Sequence, residues 1–137
     1  MKPVELFAPP EYWKLTDDER RQFRCGPGRG ILEKLVPDRI LGVDVGPACG
    51  IHDFCYSQGR ANQDKADADL IFLNNLIRLV ETCGGYDWLQ KMRLRFAHDY
   101  YEAVSHFGGP AFWKGKNKPE EMGVILLGAY RHSDGFV

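Results

Sequence analysis

Ala48-Cys49-Gly50-Ile51-His52-Asp53-Phe54-Cys55-Tyr56 is the stretch that decides how the rest of the 137-residue chain is read. Pro47 suits a first helical position, which predicts a helix from about Pro47 to Gly59. Residues three and four apart share a helix face, so Cys49, His52 and Cys55/Tyr56 line up. Asp53 comes one residue after His52 and projects from an adjacent face. An imidazole and a carboxylate therefore leave one turn in different directions. Such a turn can offer a base and a ligand for a hard cation at a single site.

Working outward, Gly59-Arg60-Ala61-Asn62 links this helix to a longer one, predicted over about Asp64 to Cys83 and capped by Gly84-Gly85. With about 100° per residue, Phe72, Leu73, Leu76, Val80 and Cys83 fall within about 60° of Asp69. Asp67, Asn74, Arg78 and Glu81 lie opposite, and Asp67 reads as a solvated surface charge. Asp69 thus stands in the middle of an apolar stripe. A buried carboxylate without a partner costs several kcal/mol, so it needs one. Two partners are open: backbone near the helix start, or His52 across an antiparallel helix pair. The second would hold the imidazole's orientation and charge.

A third helix is predicted from about Tyr86 to Phe107. Its stripe is Leu89, Met92, Phe96, Tyr100, Ala103/Val104 and Phe107. Gly108-Gly109-Pro110 should stop it. The pair His98-Asp99 lies off that stripe and reads as surface. On the amino-terminal side, Phe7, Tyr12 and Trp13 look exposed among prolines. Thr16, with Glu19 three residues on, caps a short helix running to about Phe23. Cys25-Gly26-Pro27-Gly28-Arg29-Gly30 breaks it, and Ile31 to Val45 reads as irregular or weakly extended. Met122 to Tyr130 is an apolar run suited to a short strand.

The motif at 49–56 resembles the active-site helix of the phospholipase A2 superfamily, where a cysteine is followed by two residues, His-Asp, one residue and Cys-Tyr. Ala68-Asp69-Leu70-Ile71-Phe72 and Tyr100-Tyr101 are similar to the family's later helices, nearest to its bacterial and fungal members. The loop at 25–30 resembles its calcium loop. Three departures stand out: Arg24 replaces the usual aromatic, Gly30 comes one residue late, and the segment from this loop to His52 is longer than usual. The resemblance covers about residues 23 to 107. It implies a mainly α, phospholipase A2-like single domain, with two long antiparallel helices carrying the site and a third packing on them.

The resemblance also implies calcium-dependent hydrolysis of the sn-2 ester of glycerophospholipids, at the surface of a phospholipid membrane. His52 would be the base, oriented by Asp69. Tyr56 and Tyr100 or Tyr101 would hydrogen-bond Asp69. Calcium would sit on Asp53 and the carbonyls of Arg24, Gly26 and Gly28, with the Gly26 amide as a further oxyanion donor. Cys25 and Cys49 would pair, a crosslink contributing on the order of 3–4 kcal/mol by chain-entropy estimates. With Asp69 facing His52, Cys83 lies about 21 Å further along its helix, too far from Cys55 to bond. Both are expected as free, buried thiols. A phospholipase-like module that binds lipid or protein without turnover is the alternative.

Composition narrows the rest. A net charge of −1 gives no broad basic field for nucleic acid. No apolar run is long enough to span a bilayer. Met1 to Pro10 carries prolines and a glutamate where a signal peptide needs an apolar core. The family is largely secreted, so either this chain is intracellular or a leader lies outside it. Phe112-Trp113-Lys114-Gly115-Lys116-Asn117-Lys118 suits an anionic membrane surface. A packed aromatic pair beside solvated lysines suits it equally. Phe7 and Trp13 carry the same two readings.

Overall fold

The computed structural model describes residues 4–23 and 36–116. The glycine-rich loop at 25–30, with Arg24, and the strand expected over 122–130 lie outside the described residues. Within them the fold is mainly helical. In chain order it runs α1 (Pro10–Trp13), α2 (Asp17–Arg21), β1 (Arg39–Ile40), β2 (Val43–Asp44), α3 (Gly46–Gln58), α4 (Asn62–Cys83), α5 (Asp87–Phe107) and α6 (Gly109–Trp113).

The long helices start and stop where the sequence provides for it. Pro47 occupies the first turn of α3. Asp64 reaches back to the backbone N–H groups of Arg60 and Ala61 at 2.8 and 3.0 Å, which serves orphan donors at the start of α4. Gly84 and Gly85 end it with φ of 70° and 129°, a region where side chains are strained. At α2 the Thr16–Glu19 capping box is formed in both directions. Gly108 interrupts α5, but Pro110 then begins α6, so this break is a corner between helices and not the start of a tail.

α4 is the central element and packs on both α3 and α5. Gly59 lies against Asp64 while His52 and Tyr56 meet Asp69, so α3 and α4 are antiparallel. Lys65 reaches Val104 and Gln90 reaches Val80, so α4 and α5 are antiparallel too. One core cluster gathers Ile40, Val43, Val45, Phe72, Leu76, Ala97 and Val104 between the hairpin, α4 and α5. A second joins Tyr12, Ile51, Phe54, Tyr56, Phe112 and Trp113 on the other side of α3.

The structure corrects several expectations. Segment 39–44 is a two-stranded antiparallel hairpin with Arg39 opposite Asp44 and Ile40 opposite Val43. Its turn, Leu41-Gly42, has positive φ at both residues, the backbone of a tight hairpin turn. Tyr12 is buried, because α1 seats its ring edge-on against Phe54. On α5 the buried line is Arg93, Ala97 and Val104, whereas Met92 and Phe107 are exposed. The guanidinium of Arg93 decides that rotation by donating to the carbonyls of Leu41 and Gly84. Phe112 and Trp113 are buried, stacked edge to face at 4.7 Å, so of their two readings the packed pair holds. Cys83, the last residue of α4, is free as expected but exposed rather than buried.

The candidate active site

His52 and Asp69 meet inside the protein, both nearly inaccessible to solvent at 3% and 2%. The His52 Nε2 and Asp69 Oδ1 are 2.8 Å apart. The Tyr56 hydroxyl donates to the same oxygen at 2.6 Å. The Lys65 ammonium donates to Asp69 Oδ2 at 2.8 Å. The stripe position of Asp69 therefore carries a carboxylate with three donors, and its partner is His52 across the helix pair rather than local backbone.

Rings hold the imidazole from two sides. Tyr56 lies 4.1 Å from it by centroid, tilted 48°, and Phe72 lies 4.6 Å away, tilted 33°. Phe112 in turn braces Tyr56 edge-on at 5.2 Å. A Cβ at Gly59 would stand 2.5 Å from the Phe112 ring, so the close seat of α6 on α3 depends on that glycine.

Burial and hydrogen bonding set the protonation states. Burial pushes the pKa of His52 below its ordinary value, outweighing the attraction of Asp69; the Lys65 cation pushes it the same way as burial. Burial pushes Asp69 upward, but the His52, Lys65 and Tyr56 hydrogen bonds together hold it below the usual carboxylate value. Burial, with Asp69 adding to it, drives the Tyr56 phenol far up, so it remains a donor. An ionised Asp69 only accepts, so the proton of a neutral His52 belongs on Nε2. That leaves Nδ1 as the acceptor, and it makes no hydrogen bond among the described residues.

Tyr100 does not join this group. It stacks on Phe96 at 6.3 Å, and the oxygen of Asp69 that a second tyrosine would serve belongs to Lys65. Tyr101 makes no bond to Asp69 either. Lys65 is a member of this group that the sequence reading does not name. It stands four residues before Asp69, one turn earlier on the same face, and that spacing could have revealed it.

Asp53 is half-buried on α3, one residue from the imidazole. Arg24, Gly26 and Gly28 lie outside the described residues, but the chain entering that segment is anchored beside Asp53. The carbonyl oxygen of Phe23 would stand 2.3 Å from a Cβ at Gly50, and the Phe23 ring packs on Phe54 at 5.4 Å. Cys49 is disulfide-bonded, with its partner outside the described residues. Among the described residues no three His, Cys, Asp or Glu side chains form a metal-binding group. The expected calcium set asks for one carboxylate and several carbonyls, and hard cations take oxygens of both kinds. Cys55 is free and buried, with burial raising its thiol to about 11. His98 and Asp99 are exposed, away from the site.

No family model matches the chain, and neither a curated protein nor a solved structure does. What the site can do must be argued from its own atoms. A neutral imidazole with one nitrogen fixed and the other free to accept has the chemistry to serve as a general base, and a carboxylate behind it can stabilise the cation that would form. No helix among the described residues is long and apolar enough to cross a membrane.

Proposed function

We propose that this protein is a calcium-dependent phospholipase A2, releasing a fatty acid and a lysophospholipid from the sn-2 ester of a glycerophospholipid. One observation carries the reading: the buried His52–Asp69 pair, 2.8 Å apart, with Asp53 on the next face of the same turn. His52 takes a proton from water at Nδ1 as the water attacks the ester carbonyl. Asp69 stabilises the imidazolium, and Tyr56 and Lys65 hold Asp69 in register. Tyr56 and Phe72 keep the ring from rotating. Calcium, held by Asp53 and the carbonyls of Arg24, Gly26 and Gly28, would polarise the ester carbonyl and stabilise the oxyanion together with the Gly26 amide. Phe7 and Trp13, 45% and 48% exposed, are available to meet a phospholipid surface, as are the other exposed aromatics Tyr86, Trp88 and Phe107.

The test is fatty-acid release from phospholipid vesicles across a calcium titration. Wild-type protein is expected to release fatty acid at millimolar calcium and to stop when the cation is chelated. His52→Ala should lower the rate by about 10²–10⁴-fold, the usual weight of a general base. Vesicle binding with no release on any composition would replace the enzyme with a lipid-binding module.

A further inference from the structure

Lys65 does more than pair with Asp69. Its ammonium also donates to the carbonyls of Val104 and Ser105, at 3.0 and 3.2 Å. Three N–H groups thus meet three acceptors, one on the site and two on the last turns of α5. Its side chain is only 13% exposed, so these bonds face little competition from water. Helix carbonyls near a carboxyl end favour a cation, which fixes the ammonium independently of Asp69. The end of α5 is itself pressed against the site. A Cβ at Gly108 would stand 2.6 Å from the Tyr56 hydroxyl.

Asp69 meets His52 and Tyr56 through one oxygen, and its second oxygen, buried with the first, needs a donor of its own. Tyr56 and His52 share Oδ1, so neither serves Oδ2. Lys65 serves it, with a cation anchored on another helix. We propose that Lys65 is a positioning residue of this site: clamped to the end of α5, it holds the second oxygen of Asp69 with a cation, keeps that carboxylate an acceptor toward Nε2 of His52, and so leaves Nδ1 as the open nitrogen. The inference rests on reading His52 as the base.

The test pairs kinetics with the imidazole nitrogen signals of the whole protein, read by long-range ¹H–¹⁵N NMR. In wild type His52 should show one tautomer, protonated at Nε2. In Lys65→Met that signal should become a mixture, and kcat should fall about ten- to hundredfold, as for a misplaced catalytic group, with KM within about twofold. In an Asp69→Asn background the same substitution should cost no further kcat, because Lys65 acts through that carboxylate. Lys65→Arg, which keeps the cation, should retain the single tautomer. A folded Lys65→Met with wild-type kcat and an unchanged tautomer overturns the proposal, whatever its melting temperature. Should that variant not fold, Lys65→Gln carries the same comparison. Wild type that releases no fatty acid defeats the reading of His52 as base, while the nitrogen signals still decide for or against Lys65.

Discussion

The imidazole of His52 is kept neutral by the protein around it, and stability should register that. Burial first, then Lys65, lowers its folded pKa, while an unfolded histidine titrates near about 6.5. Below that pH the unfolded chain binds a proton that the folded protein refuses. Stability rises with pH wherever the unfolded state holds more protons, so here it falls as the pH drops from about 6.5 toward the folded value. Asp69, also lowered, acts in the same direction, but only below the ordinary carboxylate pKa of about 3.9. Urea midpoints should therefore decline between about pH 7 and 5.5. His52→Gln, whose amide nitrogen reaches the Nε2 position and so keeps a donor toward Asp69 without titrating, should flatten that decline. An equal slope in both proteins would mean that the imidazole is not held neutral.

At the scale of elements, two glycines make a controlled comparison. Gly50 sits where α3 meets the backbone of Phe23, and an alanine methyl there would stand 2.3 Å from a carbonyl oxygen. Backbone cannot yield as a flexible side chain can, so Gly50→Ala should destabilise by about 1–3 kcal/mol, the range for overpacking. Gly109 opens α6 with nothing within 4 Å of a Cβ. Gly109→Ala should be neutral or stabilising by up to about 1 kcal/mol. Thermal or urea unfolding of the two variants gives the contrast, and equal effects would mean that the seat of Phe23 on α3 is wrong. The hairpin supplies a third case. Leu41 holds φ of 46°, which a branched side chain resists and asparagine tolerates. Leu41→Asn should raise stability by about 0.5–1 kcal/mol, and a loss would show that its side chain, although exposed, contributes more than its backbone costs.

These elements also show what could be read in advance. Asp69 was legible because it interrupts the apolar stripe of its own helix, and a buried charge demands a partner. The α3 and α4 spans were legible from Pro47, the glycines after them and the spacing between. The rotation of α5 was legible only in part: Phe96, Tyr100 and Val104 of the expected stripe pack on the core, but its Met92 and Phe107 are exposed, and Arg93 and Ala97 are buried instead. Arg93 is turned inward by carbonyl partners that its own helix does not announce: Gly84 just before the helix and Leu41 in the distant hairpin. The hairpin hid for a related reason: its turn is Leu-Gly, and the leucine gives no sign of the positive φ it must adopt. Lys65 hid because an apolar stripe gives no weight to a polar neighbour one turn earlier on the same face.

At the scale of the whole molecule, the question is whether calcium and the fold are thermodynamically linked. A ligand that binds only the native state stabilises it by mass action, about 2.7 kcal/mol at a hundredfold excess over its dissociation constant. The proposed set joins Asp53 on α3 to carbonyls of the chain that enters beside Gly50, so binding would tie together segments that unfolding separates. Calcium at millimolar concentration should raise the melting temperature, and Asp53→Asn should remove most of that shift. Magnesium should do much less, because it demands a tight octahedral shell and sheds its water reluctantly. His52→Ala should keep the calcium shift, since the imidazole is not a ligand in this scheme. The two variants thus part the roles assigned to adjacent residues: one loses hydrolysis and keeps the cation, the other loses both. A melting curve indifferent to calcium in wild type, beside hydrolysis that persists in chelator, would leave the His52–Asp69 pair as the working centre and take the cation out of the chemistry.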